Sequence, residues 1–168
     1  MLIVFRGLPG SGKTTIAKAL AGQSGAVYLR IDTIEQAIRD AGILEQGVGS
    51  SGYQVANALA LSNLLMGHRV VVDCVNPVAE SRQAWSDTAL SADTPLVNIQ
   101  VICSDSQEHQ RRVESRTSDI PGLTPPTWQS VLAHEYEPWH DAPFTVDTAQ
   151  LPANEALALI TRRLAELR

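Results

Sequence analysis

A chain of 168 residues, 44% hydrophobic and 18% charged, is long enough to bury one substantial core, and its composition excludes the disordered and fibrous classes. Its formal net charge of -5 argues against a broad nucleic-acid surface, while leaving room for a local basic channel. No apolar run approaches a membrane span and no basic-then-apolar leader with a cleavage site opens the chain, so a cytoplasmic protein is expected.

The first element is the apolar run Leu2-Ile3-Val4-Phe5, which predicts a buried strand. It leads into Gly7-Leu8-Pro9-Gly10-Ser11-Gly12-Lys13-Thr14, which fits G-x-x-x-x-G-K-[ST] at every required position. A helix is predicted directly after it, over Thr15 to Ala21. Strand, loop and helix in that order turn a pattern into a phosphate-binding mechanism. The glycines let the backbone turn tightly and approach an anion without Cβ clashes. The loop amides then point inward, and the helix adds the positive end of its dipole. Lys13 can reach the β- and γ-phosphates as a point charge, and the Thr14 hydroxyl is the expected magnesium ligand. Gly7 to Thr14, with Thr15, form the expected nucleotide-binding set.

Val27 to Ile31 predict a second strand, closed by Asp32. Ile34, Ala37, Ile38 and Ala41 recur at helical spacing, and Gly42 is a natural stop. Residues 45 to 52 are rich in glycine and serine and predict a loop. A longer helix follows over Tyr53 to Met66, with Val55, Ala56, Leu59, Ala60 and Leu64 on one side and Gly67 in capping position. Val70-Val71-Val72-Asp73 is β-branched and predicts a central strand. After the Asn76-Pro77 break, Ala79 to Leu90 suit a helix and Leu96 to Ile102 another strand.

Asp105 to Thr117 predict a helix, with Asp105 and Glu108 at capping-box spacing. Residues 118 to 126 carry Pro121, Gly122, Pro125 and Pro126 and predict a loop. Thr127 to Glu137 suit a short helix, and Phe144 to Asp147 a last short strand. Pro152 opens a terminal helix with Leu157, Ile160, Leu164 and Leu167 inward. Cys74 and Cys103 lack metal-type spacing and are expected to be reduced, buried thiols. There is no internal repeat, low-complexity tract or interdomain linker.

Strands alternating with helices specify a parallel sheet covered on both faces, with ligands beyond the carboxyl ends of its strands. The loops after the first four strands should therefore converge on one cleft. Asp32 should face that cleft as general base or as an orienting group for an attacking hydroxyl, although it is also a good helix cap with Glu35 three residues on. Asp73 stands where a Walker-B aspartate holds magnesium, directly or through water; it is also placed to cap the next turn or orient Asn76. No glutamate adjoins Asp73, which tilts the reading away from a plain hydrolase. Arg111, Arg112 and Arg116 fall on one predicted helix, Arg112 and Arg116 on one face, entering a loop that suits a lid over the triphosphate. The competing role for these arginines is pairing with Glu108 and Glu114 on a solvated surface. Asp147-Thr148 either borders the base through backbone atoms or makes an ordinary turn. His134 and His140 frame Glu135, Tyr136, Trp139 and Asp141, a set that fits a helix end with satisfied histidines better than a metal site. Trp85, Trp128 and Trp139 fit packing better than base stacking.

The arrangement resembles the small P-loop kinases of the nucleoside-monophosphate-kinase-like group. It is more similar to the branch holding polynucleotide 5′-hydroxyl kinase, chloramphenicol phosphotransferase, gluconate kinase, adenylylsulfate kinase and zeta-type toxins. The order of elements carries the likeness along the whole chain, and residues 7 to 14 make it specific. It implies a three-layer P-loop fold with a five-stranded parallel sheet in the order 2-3-1-4-5, the chain forming one kinase domain with a lid at about 105–128. It also implies that Asp32 is the hydroxyl-activating carboxylate and that Arg112 and Arg116 are lid arginines. Polynucleotide kinases and zeta toxins tend to carry an arginine soon after that aspartate; here Glu35 and Gln36 follow, and the first arginine is Arg39. Neither an Asn-Lys-x-Asp nor a Leu-Ser-Gly-Gly-Gln stretch occurs, which disfavours a GTPase and a transporter ATPase. The expected activity is transfer of the γ-phosphoryl group of ATP, with Mg2+, to a hydroxyl of a small acceptor selected by segments 42–54, 74–84 and 118–128. The alternatives are a nucleotide-dependent binding or regulatory ATPase and a 5′-hydroxyl nucleic-acid kinase.

Overall fold

The computed structural model describes residues 1–42, 44, 47–137, 139 and 144–167. Its strands are β1 (Leu2–Arg6), β2 (Val27–Arg30), β3 (Val70–Asp73), β4 (Leu96–Ile102) and β5 (Phe144–Asp147). They form one five-stranded sheet in the order β2-β3-β1-β4-β5. Every pairing is parallel, as the alternation of strands with helices and the resemblance to P-loop kinases both imply. The helices are α1 (Lys13–Ser24), α2 (Ile31–Asp40), α3 (Ser51–Leu65), α4 (Ala79–Ser91), α5 (Ser106–Glu114), α6 (Trp128–Leu132) and α7 (Ala153–Ala165).

The apolar runs explain the layering. β1 and β3 are buried on both faces, so their side chains alternate between two cores rather than between core and water. Ile3 and Phe5 pack with Ile16, Ala17 and Leu20 of α1 and Ile160 of α7. Leu2 and Val4 pack on the other face with Ala56 and Ala60 of α3 and Trp85 of α4. Because all strands run the same way, their carboxyl ends lie along one edge, and the loops that follow them meet there.

Local differences from the sequence reading have physical causes. Ile31 is the first residue of α2 rather than the last of β2, so no loop separates strand from helix, and Asp32 stands in the first helical turn. Ser51 and Gly52 belong to α3, so the loop predicted over residues 45 to 52 ends sooner; residues 45 and 46 lie outside the described residues. On α3 the alanines Ala56 and Ala60 face the sheet, with Leu64, and allow close approach. Val55 and Leu59, on the adjoining row, are 40% and 43% exposed. Helix α5 ends at Glu114, which leaves Arg116 beyond it and off the face of Arg112. Asp105 caps α5 by accepting from the amides of Gln107 and Glu108, but the Glu108 carboxylate turns to arginines instead of completing a capping box. α6 is shorter than predicted, and α7 stops at Ala165, leaving Leu167 exposed.

The exposure of Leu59 reverses an expectation that burial would have set. Leu59→Ala should change unfolding free energy by no more than about 0.5 kcal/mol, whereas Leu64→Ala should cost roughly 2–5 kcal/mol. Urea denaturation of the two variants checks this, and equal losses would contradict the packing of α3.

Candidate active site

The loop from Gly7 to Gly12 takes a shape that side chains would obstruct. Gly7 has φ 148° and a Cβ there would lie 2.2 Å from the Val101 carbonyl oxygen. A Cβ on Gly10, at φ 82°, would lie 2.5 Å from Val113 of α5. Helix α5 is therefore packed directly on the loop, and His109 Nε2 donates to the Pro9 carbonyl at 2.8 Å. Gly12 is the N-cap of α1 and supplies no side-chain cap, so the first amides of that helix stay available to an anion.

Lys13 and Asp73 form a buried pair at 3.8 Å, their side chains 7% and 2% exposed. The Asp73 carboxylate is divided between two environments. Its Oδ2 accepts from the Tyr28 hydroxyl at 2.9 Å and lies 3.8 Å from Arg30 Nε. Burial, then the Asp73 charge, push the Tyr28 phenol well above its ordinary range, so it stays a donor. Asp73 Oδ1 is buried and has no hydrogen-bond partner among the described residues. An orphaned carboxylate oxygen beside Lys13 suits a hydrated divalent cation, as does the Thr14 hydroxyl on the adjoining turn.

Two cavities meet at this point. One, of about 210 Å³, is lined by Gly10, Gly12, Lys13, Thr14, Thr15, Arg112 and Arg116. The other, of about 310 Å³, is lined by Lys13, Asp32, Glu35, Tyr53, Arg116 and His134, with Ile31, Val75 and Leu123 among its apolar walls. Lys13 and Arg116 line both. The structure thus brings Lys13, Asp32 and Arg116 together at the carboxyl edge of the sheet.

The remaining expected residues are placed as follows. Arg112 donates to Glu108 at 2.7 Å and, through its other nitrogens, to the hydroxyl and carbonyl of Thr148 at 2.8 and 3.1 Å. The Thr148 hydroxyl donates in turn to the Ser11 carbonyl at 2.7 Å, and its amide to the Ile102 carbonyl. Thr148 therefore fastens the loop after β5 to the phosphate loop, with its own backbone groups already engaged. Arg111 pairs with Glu108 at the surface, 67% exposed, and lines neither cavity. Cys74 and Cys103 are free and buried. Trp85 is fully buried in the core, Trp128 meets His109 edge-on, and Trp139 lies over Arg6 and Arg82. His140 and Asp141 lie outside the described residues. Among the described residues no group of three or more His, Cys, Asp or Glu could hold a metal, and no helix is long and apolar enough to cross a membrane.

The sequence sets Arg30 among several polar residues able to contact an acceptor, with a surface or structural role the better fit; the structure gives it a buried, structural one. Its guanidinium is only 5% exposed and faces three carboxylates. It donates to both oxygens of Asp119 at 2.8 and 3.0 Å, lies 3.6 Å from Asp32 and 3.8 Å from Asp73. The hydrogen bond from Arg30 holds the Asp119 carboxyl below the usual carboxylate range. Arg30 thus joins the end of β2, the end of β3 and the segment after α5. The available signal was an arginine interrupting an apolar strand two residues before Asp32. Arg6, also buried, was the one missed; it donates to the Tyr136 hydroxyl at 2.7 Å and lies under the Tyr136 and Trp139 rings.

The sequence model of a family described as "AAA domain" matches residues 2–124. An uncharacterized protein of Mycobacterium tuberculosis (strain ATCC 25618 / H37Rv), Rv2004c, is 31% identical over 115 residues, covering 61% of this chain and 23% of that protein. The chain therefore matches less than a quarter of the length of this curated relative. Among solved structures, a gluconokinase from Sinorhizobium meliloti 1021 superposes with a TM-score of 0.65 at 25% identity, covering 98% of this chain and 94% of that one. The Mycobacterium tuberculosis APS kinase CysC, in complex with AMPPNP and APS, superposes with a TM-score of 0.66 at 18% identity, covering 98% and 96%. The fold is that of the P-loop kinases.

Proposed function

The chain belongs to the AAA domain family, and from that premise we propose that it transfers the γ-phosphoryl group of ATP to a hydroxyl of a small molecule. In this reading the whole chain is one kinase domain, working where cytoplasmic ATP and Mg2+ are at hand, and residues 105–128 are its lid. The observation that carries the proposal is the sharing of Lys13 and Arg116 between the cavity at the phosphate loop and the cavity beside Asp32. A γ-phosphate held by Lys13 lies at the boundary between a nucleotide and an acceptor, which is the geometry that in-line transfer requires.

Each residue then has a task. The amides of Gly7 to Thr15, with Lys13, hold the triphosphate. Thr14 and Asp73 would hold magnesium, which when bound neutralises charge on the β- and γ-oxygens. Asp32, 37% exposed, accepts a hydrogen bond from the acceptor hydroxyl and takes its proton. The acceptor oxygen forms its bond to the γ-phosphorus as the bond to the β–γ bridging oxygen breaks, and ADP leaves. Arg116, with Arg112 behind it, stabilises the negative charge on the moving group. Closure of segment 115–126 excludes water.

The test is ADP release, together with mass gain of the acceptor, across a panel of small hydroxyl compounds. At least one should raise ADP release well above the basal rate and gain one phosphoryl group. Asp32→Asn should then lower kcat about a hundredfold or more with ATP affinity unchanged. A panel that never stimulates turnover, or an Asp32→Asn variant that transfers at the parent rate, would remove this reading.

A further inference from the structure

Resting on that kinase reading, we infer that the acceptor carries a protonated amine close to the hydroxyl that receives the phosphoryl group, and that Glu35 is the partner of that amine.

The argument starts from the charges that face the acceptor cavity. Its cations, Lys13 and Arg116, also line the phosphate cavity and are committed there. What remains for the acceptor among the described lining residues is Asp32 and Glu35, the uncharged Tyr53, Ser118 and Thr124, the imidazole of His134 and an apolar wall. An acceptor bearing a carboxylate or phosphate would meet two like charges, and the described lining residues hold no Lys or Arg beyond Lys13 and Arg116 to offset them. One bearing an ammonium group would meet the opposite sign. The volume of about 310 Å³ stands at the small end of ligand cavities, which suits a single small ring or a short chain.

Glu35 is also fixed in place. It follows Asp32 by three residues on α2, so the two carboxylates are neighbours on one helical face. Its stem is pinned where α3 begins: a Cβ on Gly52 would lie 2.4 Å from Glu35 Cγ. Glu35 Oε2 accepts from Arg39 at 3.2 Å, and among the described residues Oε1 accepts no hydrogen bond. Burial raises the Glu35 carboxyl above its usual range, with Asp32 adding to the effect and Arg39 opposing it. Glu35 thus lines the cavity with a carboxylate of which only one oxygen has a donor among the described residues. Asp32 is reserved for the hydroxyl, so the adjacent carboxylate on the same face meets a group one or two carbons away. An amino alcohol presents its ammonium and its hydroxyl at that spacing, each to its own carboxylate. The amine is unchanged by the reaction and serves to select and orient.

The test uses acceptors on matched carbon frames: glucosamine, glucose and glucuronate, and serinol, glycerol and glycerate. Binding is measured by calorimetry with AMPPNP and Mg2+ present, and transfer is measured with labelled ATP. Within each series the amine should bind at least about tenfold more tightly than the neutral compound, the scale of one charge-assisted hydrogen bond. The anionic compound should bind most weakly. Glu35→Gln should remove the preference for the amine and leave neutral acceptors within about twofold. Arg39→Met, at an exposed position, frees Oε2 and should strengthen the amine's binding, which keeps the test open if Glu35→Gln folds poorly. Preferred binding of the anion, binding of no member, or an equal loss for every member in Glu35→Gln would overturn the inference. Amine binding that depends on Glu35 but never yields a phosphorylated product would uphold this site and remove the kinase reading.

Discussion

Lys13→Met is expected to lower phosphoryl transfer by about a thousandfold or more and to destabilise the fold at the same time. The catalytic part follows from position. Lys13 lines both cavities, so its charge lies where negative charge concentrates on the moving group, and preorganised cations at that point commonly carry effects of this size. The stability part follows from burial. Lys13 faces Asp73 at 3.8 Å with both side chains almost wholly buried, and breaking a buried pair by removing one partner costs about 3–5 kcal/mol. The cost here should fall toward the lower figure, because Tyr28 and Arg30 still face the other oxygen of Asp73. The two parts separate in a double variant. Lys13→Met with Asp73→Asn removes the uncompensated charge, so urea denaturation should show stability regained while single-turnover assays show transfer still lost. Lys13→Met with transfer within tenfold of the parent would mean that the loop does not serve the reaction proposed here.

The contrast between Lys13 and Arg30 shows what can be read from a chain in one dimension. The phosphate loop is legible because its chemistry is local: consecutive backbone amides, glycines with positive φ and one lysine, all within residues 7 to 14. The strands are legible for a similar reason, since Leu2 to Phe5 and Val70 to Val72 are apolar runs whose burial is their whole signal. Asp32 could be placed because a residue that closes a parallel strand must lie at the carboxyl edge. Arg30 could not, because its burial is a consequence of pairing. The parallel register sets Arg30 of β2 beside Asp73 of β3, and no local pattern connects these residues. Asp119 completes the network from a segment still further along the chain. Arg116 shows the opposite error. Its spacing from Arg112 suggested one helix face, yet Ser115 caps α5 and Arg116 reaches the cavities from the irregular segment beyond. Helix ends depend on which hydrogen bonds compete at the last turn, and sequence periodicity does not register that competition.

Arg30→Met is expected to cost about 3–5 kcal/mol in stability and to depress transfer as well, although Arg30 lines neither cavity. Methionine fills much of the arginine's volume, so the loss is electrostatic rather than a cavity. Asp73 remains buried with one cation fewer, and Asp32 loses the guanidinium at 3.6 Å that orients it. Asp119, half exposed, returns to water at little cost, but the segment after α5 then loses its attachment to β2. Hydrogen exchange over residues 115–126 should therefore accelerate in Arg30→Met. Arg30→Lys tests the geometry separately from the charge. One ammonium cannot face three carboxylates as a planar fork does, so lysine should recover part of the stability and little of the protection. Acid gives an independent check. The Asp119 carboxyl is depressed by the hydrogen bond from Arg30, so its contribution is present above the ordinary carboxylate pKa and is lost as pH falls through the lowered value. Protection of residues 115–126 in the parent should thus hold from neutral pH into the mildly acid range and fail only below about pH 4, while Arg30→Met shows no such transition. Parent-like exchange and transfer in Arg30→Met would show that the three carboxylates are held by their own elements, and that closure over the acceptor cavity does not depend on the cation between them.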